Sequence, residues 1–113
     1  MRADFLGEGA TAAWPRQDFP PGAQVRAAGA PADRLLVVLA GAVRAGGRAF
    51  GPGEAVEMAD FLAGPDYRRP LVTPGGCTVA HLPRAAVRDA IAAASPLTWT
   101  LARALALELR AGG

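Results

Sequence analysis

The run Arg34-Leu-Leu-Val-Val-Leu39 constrains this chain most. It is apolar from Leu35 onward with no inside–outside alternation, the pattern of a strand buried on both faces. Gly41 lets the backbone bend just after it, and Ala42-Val-Arg44 restarts as a short strand. Gly46-Gly47 can supply the positive φ angles of a two-residue hairpin turn, which returns the chain as Arg48-Ala-Phe50.

The rest is cut into short pieces. The 14 Gly and 10 Pro fall between apolar runs, as turn punctuation in a β-rich fold does. Pro20-Pro-Gly22 and Gly29-Ala-Pro-Ala-Asp33 are turns around a short strand at Gln24-Val-Arg26. Gly51-Pro-Gly53 is a sharp corner, and residues 54–62 then read as a short helix with Val56, Met58, Phe61 and Leu62 apolar. Residues 68–73 and 77–82 read as two strands joined by Pro74-Gly-Gly76. Residues 83–94 are helical in pattern, with Val87 and Ile91 four apart.

Ser95-Pro96 is a good helix start, and Leu97, Leu101, Leu105 and Leu109 repeat every fourth residue beyond it. That leucine face either caps the domain or forms a homodimer seam. Trp99 and Leu107 lie off it and are candidates for a contact outside the domain. Residues 1–21 have no clear period yet carry Phe5, Leu6, Trp14 and Phe19, too many large apolar groups for a free tail. The segment either wraps its own domain or docks on a partner, with Phe5 and Trp14 as contact candidates.

A chain of 113 residues, 51% hydrophobic and 19% charged, is one folded domain. All 12 basic residues are Arg, which the abundance of Ala, Gly and Pro explains as a GC-rich, bacterial-like composition. The net charge is +2 and the Arg residues are scattered, so no clustered basic face for a phosphate backbone is visible. Cys77 is alone, which excludes an intramolecular disulfide. No signal-peptide core or membrane-length apolar stretch is present, so the expected location is the cytoplasm, with no membrane span.

These patterns, taken in order, resemble the cyclic-nucleotide-binding family, the sensor half of catabolite-activator-type regulators. Phe19-Pro-Pro-Gly22 through Asp33 is similar to the family's opening turns and strand. Leu35 to Val43 is similar to its signature strand, bulge glycine and strand, and Phe50-Gly-Pro-Gly53-Glu54 to the corner before its phosphate-binding cassette. Ser95-Pro96-Leu97 resembles the start of its closing helices. The resemblance covers roughly residues 19–110. It implies a mainly β fold: a small antiparallel, jelly-roll-like β-roll with C-terminal α-helices. The organisation is then an N-terminal arm, 1–18, and a β-roll with closing helices, 19–113.

In that family a Gly-Glu pair opens the cassette, the Gly backbone approaching the cyclic phosphate and the Glu holding the ribose hydroxyl. An Arg some ten residues on pairs with the phosphate, and a small hydroxyl residue follows it. By resemblance Glu57 takes the Glu position and Arg68 the Arg position, with Gly53 at the corner. Val56 then stands in place of the glycine and Arg69 in place of the hydroxyl residue. The ligand-binding candidates are therefore Gly53, Glu57, Arg68 and Arg69, in an eroded site. Read without the resemblance, Arg68 and Arg69 are an exposed strand start paired with Asp66 or a shifted anion site. Glu54, Glu57 and Asp60, three apart, read as one acidic solvated helical face.

No His, Cys, Asp and Glu cluster suggests a metal. His81 reads as a packed or surface histidine and Cys77 as a small core hydrophobe. No catalytic set can be assembled, so neither an enzyme nor a resident cofactor is expected. The chain ends at Gly113, where a transcription factor of this family continues into a helix-turn-helix, so direct DNA binding is not expected. The expectation is a stand-alone, degenerate cyclic-nucleotide-binding-like regulatory module. It acts through protein–protein contacts as an adaptor or accessory subunit. The alternative is a small-ligand sensor that binds a cyclic nucleotide or other anion and regulates a partner in trans.

Overall fold

The computed structural model describes residues 14–94, with side chains up to Asp89. Phe5, Trp99, Leu107 and the leucine repeat lie outside the described residues. Two antiparallel sheets face each other. The first, in order β1-β7-β3, is built from β1 (Arg16–Phe19), β7 (Cys77–Pro83) and β3 (Arg34–Gly41). The second, in order β2-β6-β4-β5, joins β2 (Ala23–Arg26), β6 (Leu71–Thr73), β4 (Val43–Ala45) and β5 (Arg48–Phe50). Two helices, α1 (Met58–Ala63) and α2 (Arg84–Ala94), complete a mainly β roll.

The expected two-sided strand is β3. Leu36 and Val38 join the core between the sheets, with Val43, Phe50, Leu71 and Val79. Leu35 and Val37 point the other way and are covered by Met58, Phe61 and Leu62 of the α1 segment, Tyr67, and Val87 of α2. Alternate residues of one strand therefore serve two cores. Arg84 fastens the outer layer: its guanidinium donates to the Ala32 carbonyl at 2.7 Å and to the Phe61 carbonyl, and lies over the Phe61 ring.

β3 pairs with β7 on one edge only. Its other edge is taken by residues 53–56, where Gly53 N–H donates to the Val38 carbonyl at 2.8 Å and Val56 N–H to the Leu36 carbonyl at 2.9 Å. This corrects the expected helix over 54–62. Its first three residues are used to close the edge of β3 and Glu57 becomes the N-cap, so α1 starts at Met58. Two further corrections have similar causes. The strand expected over 68–73 is confined to Leu71–Thr73, because the Arg68 N–H bonds to Asp60 instead of a neighbouring strand. β1, inside the arm expected to have no period, is an edge strand exposed over Arg16–Asp18, so burial leaves no pattern there.

At Gly41 the chain leaves the first sheet for the second. Its φ is +75°, and a Cβ built there would lie 2.2 Å from the Gly76 carbonyl oxygen and 2.8 Å from Cys77 Cα. Both obstacles are backbone and cannot swing aside. Thr73 Oγ1 ties the same corner by donating to the Ala42 carbonyl at 2.7 Å. Gly41→Ala is expected to cost about 3 kcal/mol or more, combining a left-handed strain with an overpacking clash. Gly47→Ala, where nothing lies within 4 Å, is expected to stay within about 0.5 kcal/mol. Urea unfolding midpoints of the two variants check the contrast.

Candidate functional site

The closed edge of β3 decides where the next residue goes. Val56 is fully buried in the inter-sheet core. Glu57 follows in a left-handed conformation, φ 52° and ψ 51°, as the N-cap of α1. The residue with glycine-like backbone geometry is therefore Glu57, while the Val56 side chain packs into the inter-sheet core. A left-handed residue other than Gly, Asn or Asp is strained, and such strain persists only where surroundings hold it.

What holds Glu57 is Arg26. Its Nη2 donates to Glu57 Oε1, and the two side chains are 8% and 10% exposed. The same nitrogen donates to the Arg69 carbonyl at 3.2 Å. The guanidinium lies 3.6 Å from the centre of the Tyr67 ring, a stacked cation–π contact. The Tyr67 hydroxyl donates in turn to the Arg34 carbonyl at 2.6 Å. Arg26 is a site residue that the sequence reading passed over. Strand alternation puts it on the outward face with Gln24, but a bulge between Gln24 and Arg26 breaks the register.

Arg68 has its own internal carboxylate. Asp60, 3% exposed, accepts from Arg68 Nε at 3.1 Å and from the Arg68 backbone N–H at 3.2 Å. Asp60 is thus a carboxylate partner of Arg68 beyond the expected Asp66. The expected acidic face does not form either: Glu54 accepts from Gly51 N–H in a turn, Glu57 holds Arg26, and Asp60 holds Arg68.

Glu57, Arg68 and Arg69 line one cavity of about 230 Å³, together with Arg48, Phe50 and Asp60. Gly53 does not line it; its φ is +84° and its N–H is spent on β3. Trp14 is half-buried against the outer core, away from this cavity. Arg48 stacks on Phe50 at 5.1 Å from the ring centre. Arg48 and Arg69 bring positive charge to the wall without a carboxylate partner among the described residues. His81 Nε2 donates to Gln17 Oε1 at 2.9 Å, and burial with the nearby Arg34 lowers its pKa. Cys77 is a buried free thiol in the inter-sheet core. Among the described residues no group of three or more His, Cys, Asp or Glu is placed to hold a metal. No helix among them is long and apolar enough to cross a membrane.

Burial raises the Tyr67 phenol far above its ordinary value of 10, against the pull of Arg26 and then Arg84. A raised pKa contributes stability that is complete below pH 10 and lost as pH rises beyond it. Because the chain has a single Tyr, phenolate absorbance reads this group directly. The expected result is no phenolate near pH 10 in the folded protein, and its appearance only together with loss of β-sheet circular dichroism. Ordinary titration near pH 10 with the fold intact would contradict the buried stack.

No protein-family model matches this chain, and no curated protein matches it. Solved structures do. A transcriptional regulator from Thermotoga maritima superposes with TM-score 0.68 at 14% identity, over 88% of this chain and 84% of that one. The cGMP-bound EAL enzyme Bd1971 gives TM-score 0.72 at 16% identity, over 87% of this chain but 29% of that one. The c-di-GMP-responsive global regulator CLP from Xanthomonas campestris gives 0.61 at 24% identity, over 90% and 54%. At these identities the likeness is one of fold, and for the last two it spans only part of the larger protein. Two facing antiparallel sheets, the bend at Gly41 and these superpositions give this chain the β-roll fold of cyclic-nucleotide-binding domains.

Proposed function

We propose that this β-roll is a regulatory module that works through contacts with a protein partner, with its nucleotide cassette closed by its own side chains. The observation that carries this reading is the Asp60–Arg68 pair. A guanidinium suited to a phosphate already has a buried carboxylate at 3.1 Å on Nε, and the adjacent backbone N–H is spent on the same group. Glu57, the candidate for a ribose hydroxyl, is likewise committed to Arg26. A cyclic nucleotide must displace both contacts before it gains any of its own.

The second reading, a sensor for a small anion, has its own support. Arg48 and Arg69 face the same cavity, and Bd1971 has been solved with cAMP and with cGMP bound. Isothermal titration with cyclic AMP and cyclic GMP separates the two. The adaptor reading expects no saturable heat from the wild-type protein up to about 1 mM nucleotide. Micromolar binding that disappears in Arg68→Ala would establish the sensor instead.

Removal of the internal carboxylate supplies a stability prediction. Asp60→Asn removes the buried carboxylate charge that faces Arg68, and since Arg68 is part-exposed the expected loss is about 1–3 kcal/mol. Urea unfolding measures it; no change would mean the pair does not hold the cassette closed. Truncations that probe the arm for partner contact must stop before Arg16, because residues 16–19 are sheet.

A further inference from the structure

The first sheet ends in an open edge. β1 pairs with β7 on one side, and no strand lies on its other side among the described residues. The register fixes which backbone groups face outward. His81 N–H donates to the Pro15 carbonyl at 2.9 Å, so Pro15, Gln17 and Phe19 turn their backbone groups toward β7. Arg16 and Asp18 turn theirs to the open side. Each presents an N–H and a C=O with no partner among the described residues.

Proteins ordinarily blunt such edges with proline or charge. Proline does not block this one: Pro15 lacks its N–H on the β7 side, and Pro20 only ends the strand. The charges do not block it either. Arg16 and Asp18 are exposed, two residues apart, and therefore share one face of the strand. Neither forms an ion pair among the described residues. Thr78 Oγ1 donates to Asp18 Oδ1 at 2.6 Å, a hydroxyl contact that orients the carboxylate without neutralising it.

This pattern is complementary to itself. Antiparallel pairing about a two-fold axis at Gln17 sets Arg16 opposite the partner's Asp18, and Asp18 opposite the partner's Arg16. Moving the axis to Arg16 or to Asp18 sets like charges directly opposite, which is unfavourable. We propose that two copies of this chain associate edge to edge through β1 in the register centred on Gln17. The outward N–H and C=O groups of Arg16 and Asp18 then bond across the axis, and two Arg–Asp pairs form on one face. The two β1-β7-β3 sheets become a single continuous sheet. One short strand makes a small interface, so the dimer is weak, dissociating at roughly 0.1–1 mM. The proposal does not rest on the adaptor reading, and nucleotide titrations do not bear on it.

Sedimentation equilibrium of the full chain, from about 10 μM to about 2 mM, reads the association. The wild type is expected to show a monomer–dimer equilibrium that weakens as salt is raised to about 0.5 M. Arg16→Asp and Asp18→Arg each set like charges opposite at both pairs, and each alone is expected to weaken the dimer at least about fivefold. An equimolar mixture of the two variants is expected to associate as the wild type does, because the pairs between unlike chains are again Arg with Asp. The double variant is expected to regain self-association for the same reason. Both positions are exposed, so circular dichroism is expected to be unchanged throughout. A wild type that stays monomeric to about 2 mM overturns the proposal. So does association that either single variant leaves unchanged, which would place it on another surface such as the leucine repeat. Failure of the mixture or of the double variant to associate overturns it as well.

Discussion

Leu35 and Val37 leave water on one side of β3 while Leu36 and Val38 leave it on the other. At about 2 kcal/mol for each buried side chain, the four contribute roughly 8 kcal/mol of gross stabilisation, comparable with the whole net stability of a domain. The rest of the architecture supplies the cover. The second sheet closes the inner face, and α1, α2 and Tyr67 close the outer one. The free edge of β3 is closed by residues 53–56, which fixes where Glu57 must stand. The candidate site is therefore a by-product of edge protection as much as of chemistry.

Around that site the charges answer one another. Arg26 with Glu57 and Arg68 with Asp60 each bring a cation and an anion together from separate parts of the chain. Internal neutralisation of this kind removes the need for an external anion at Arg68, while leaving part of the Arg26 guanidinium unmet. The two arginines thus differ. Arg68 has a carboxylate for its Nε and its amide, whereas the Arg26 Nε and Nη1 are buried without an acceptor.

Much of the fold was legible because burial writes itself into apolar runs and turns write themselves into Gly and Pro. The two-sided strand, the bend at Gly41, the hairpin at Gly46 and the helix from Arg84 all follow that rule. β1 was not legible, since an exposed edge strand has no face to mark. Residues 54–57 looked helical because their apolar spacing suits a helix equally well; only the unpaired edge of β3 decides otherwise. Of the site, the proximity of Glu57, Arg68 and Arg69 was readable from order along the cassette. Arg26 and the Asp60 partner were not. The first is turned inward by a bulge and the second arises from a tertiary contact, and neither leaves a period in the sequence.

Glu57 also bears on how such a chain can change over generations. Its left-handed backbone favours glycine, and replacing it with glycine relieves roughly 1 kcal/mol of strain. The same replacement strands the buried Arg26 charge, a loss of about 3–5 kcal/mol. The single-step road to a glycine at this position therefore runs uphill. Only a lineage that first loses the arginine on β2 can take it, so the order of the two substitutions is imposed by electrostatics. The pair acts as an epistatic ratchet, holding the cassette in its present form even where selection on it is weak.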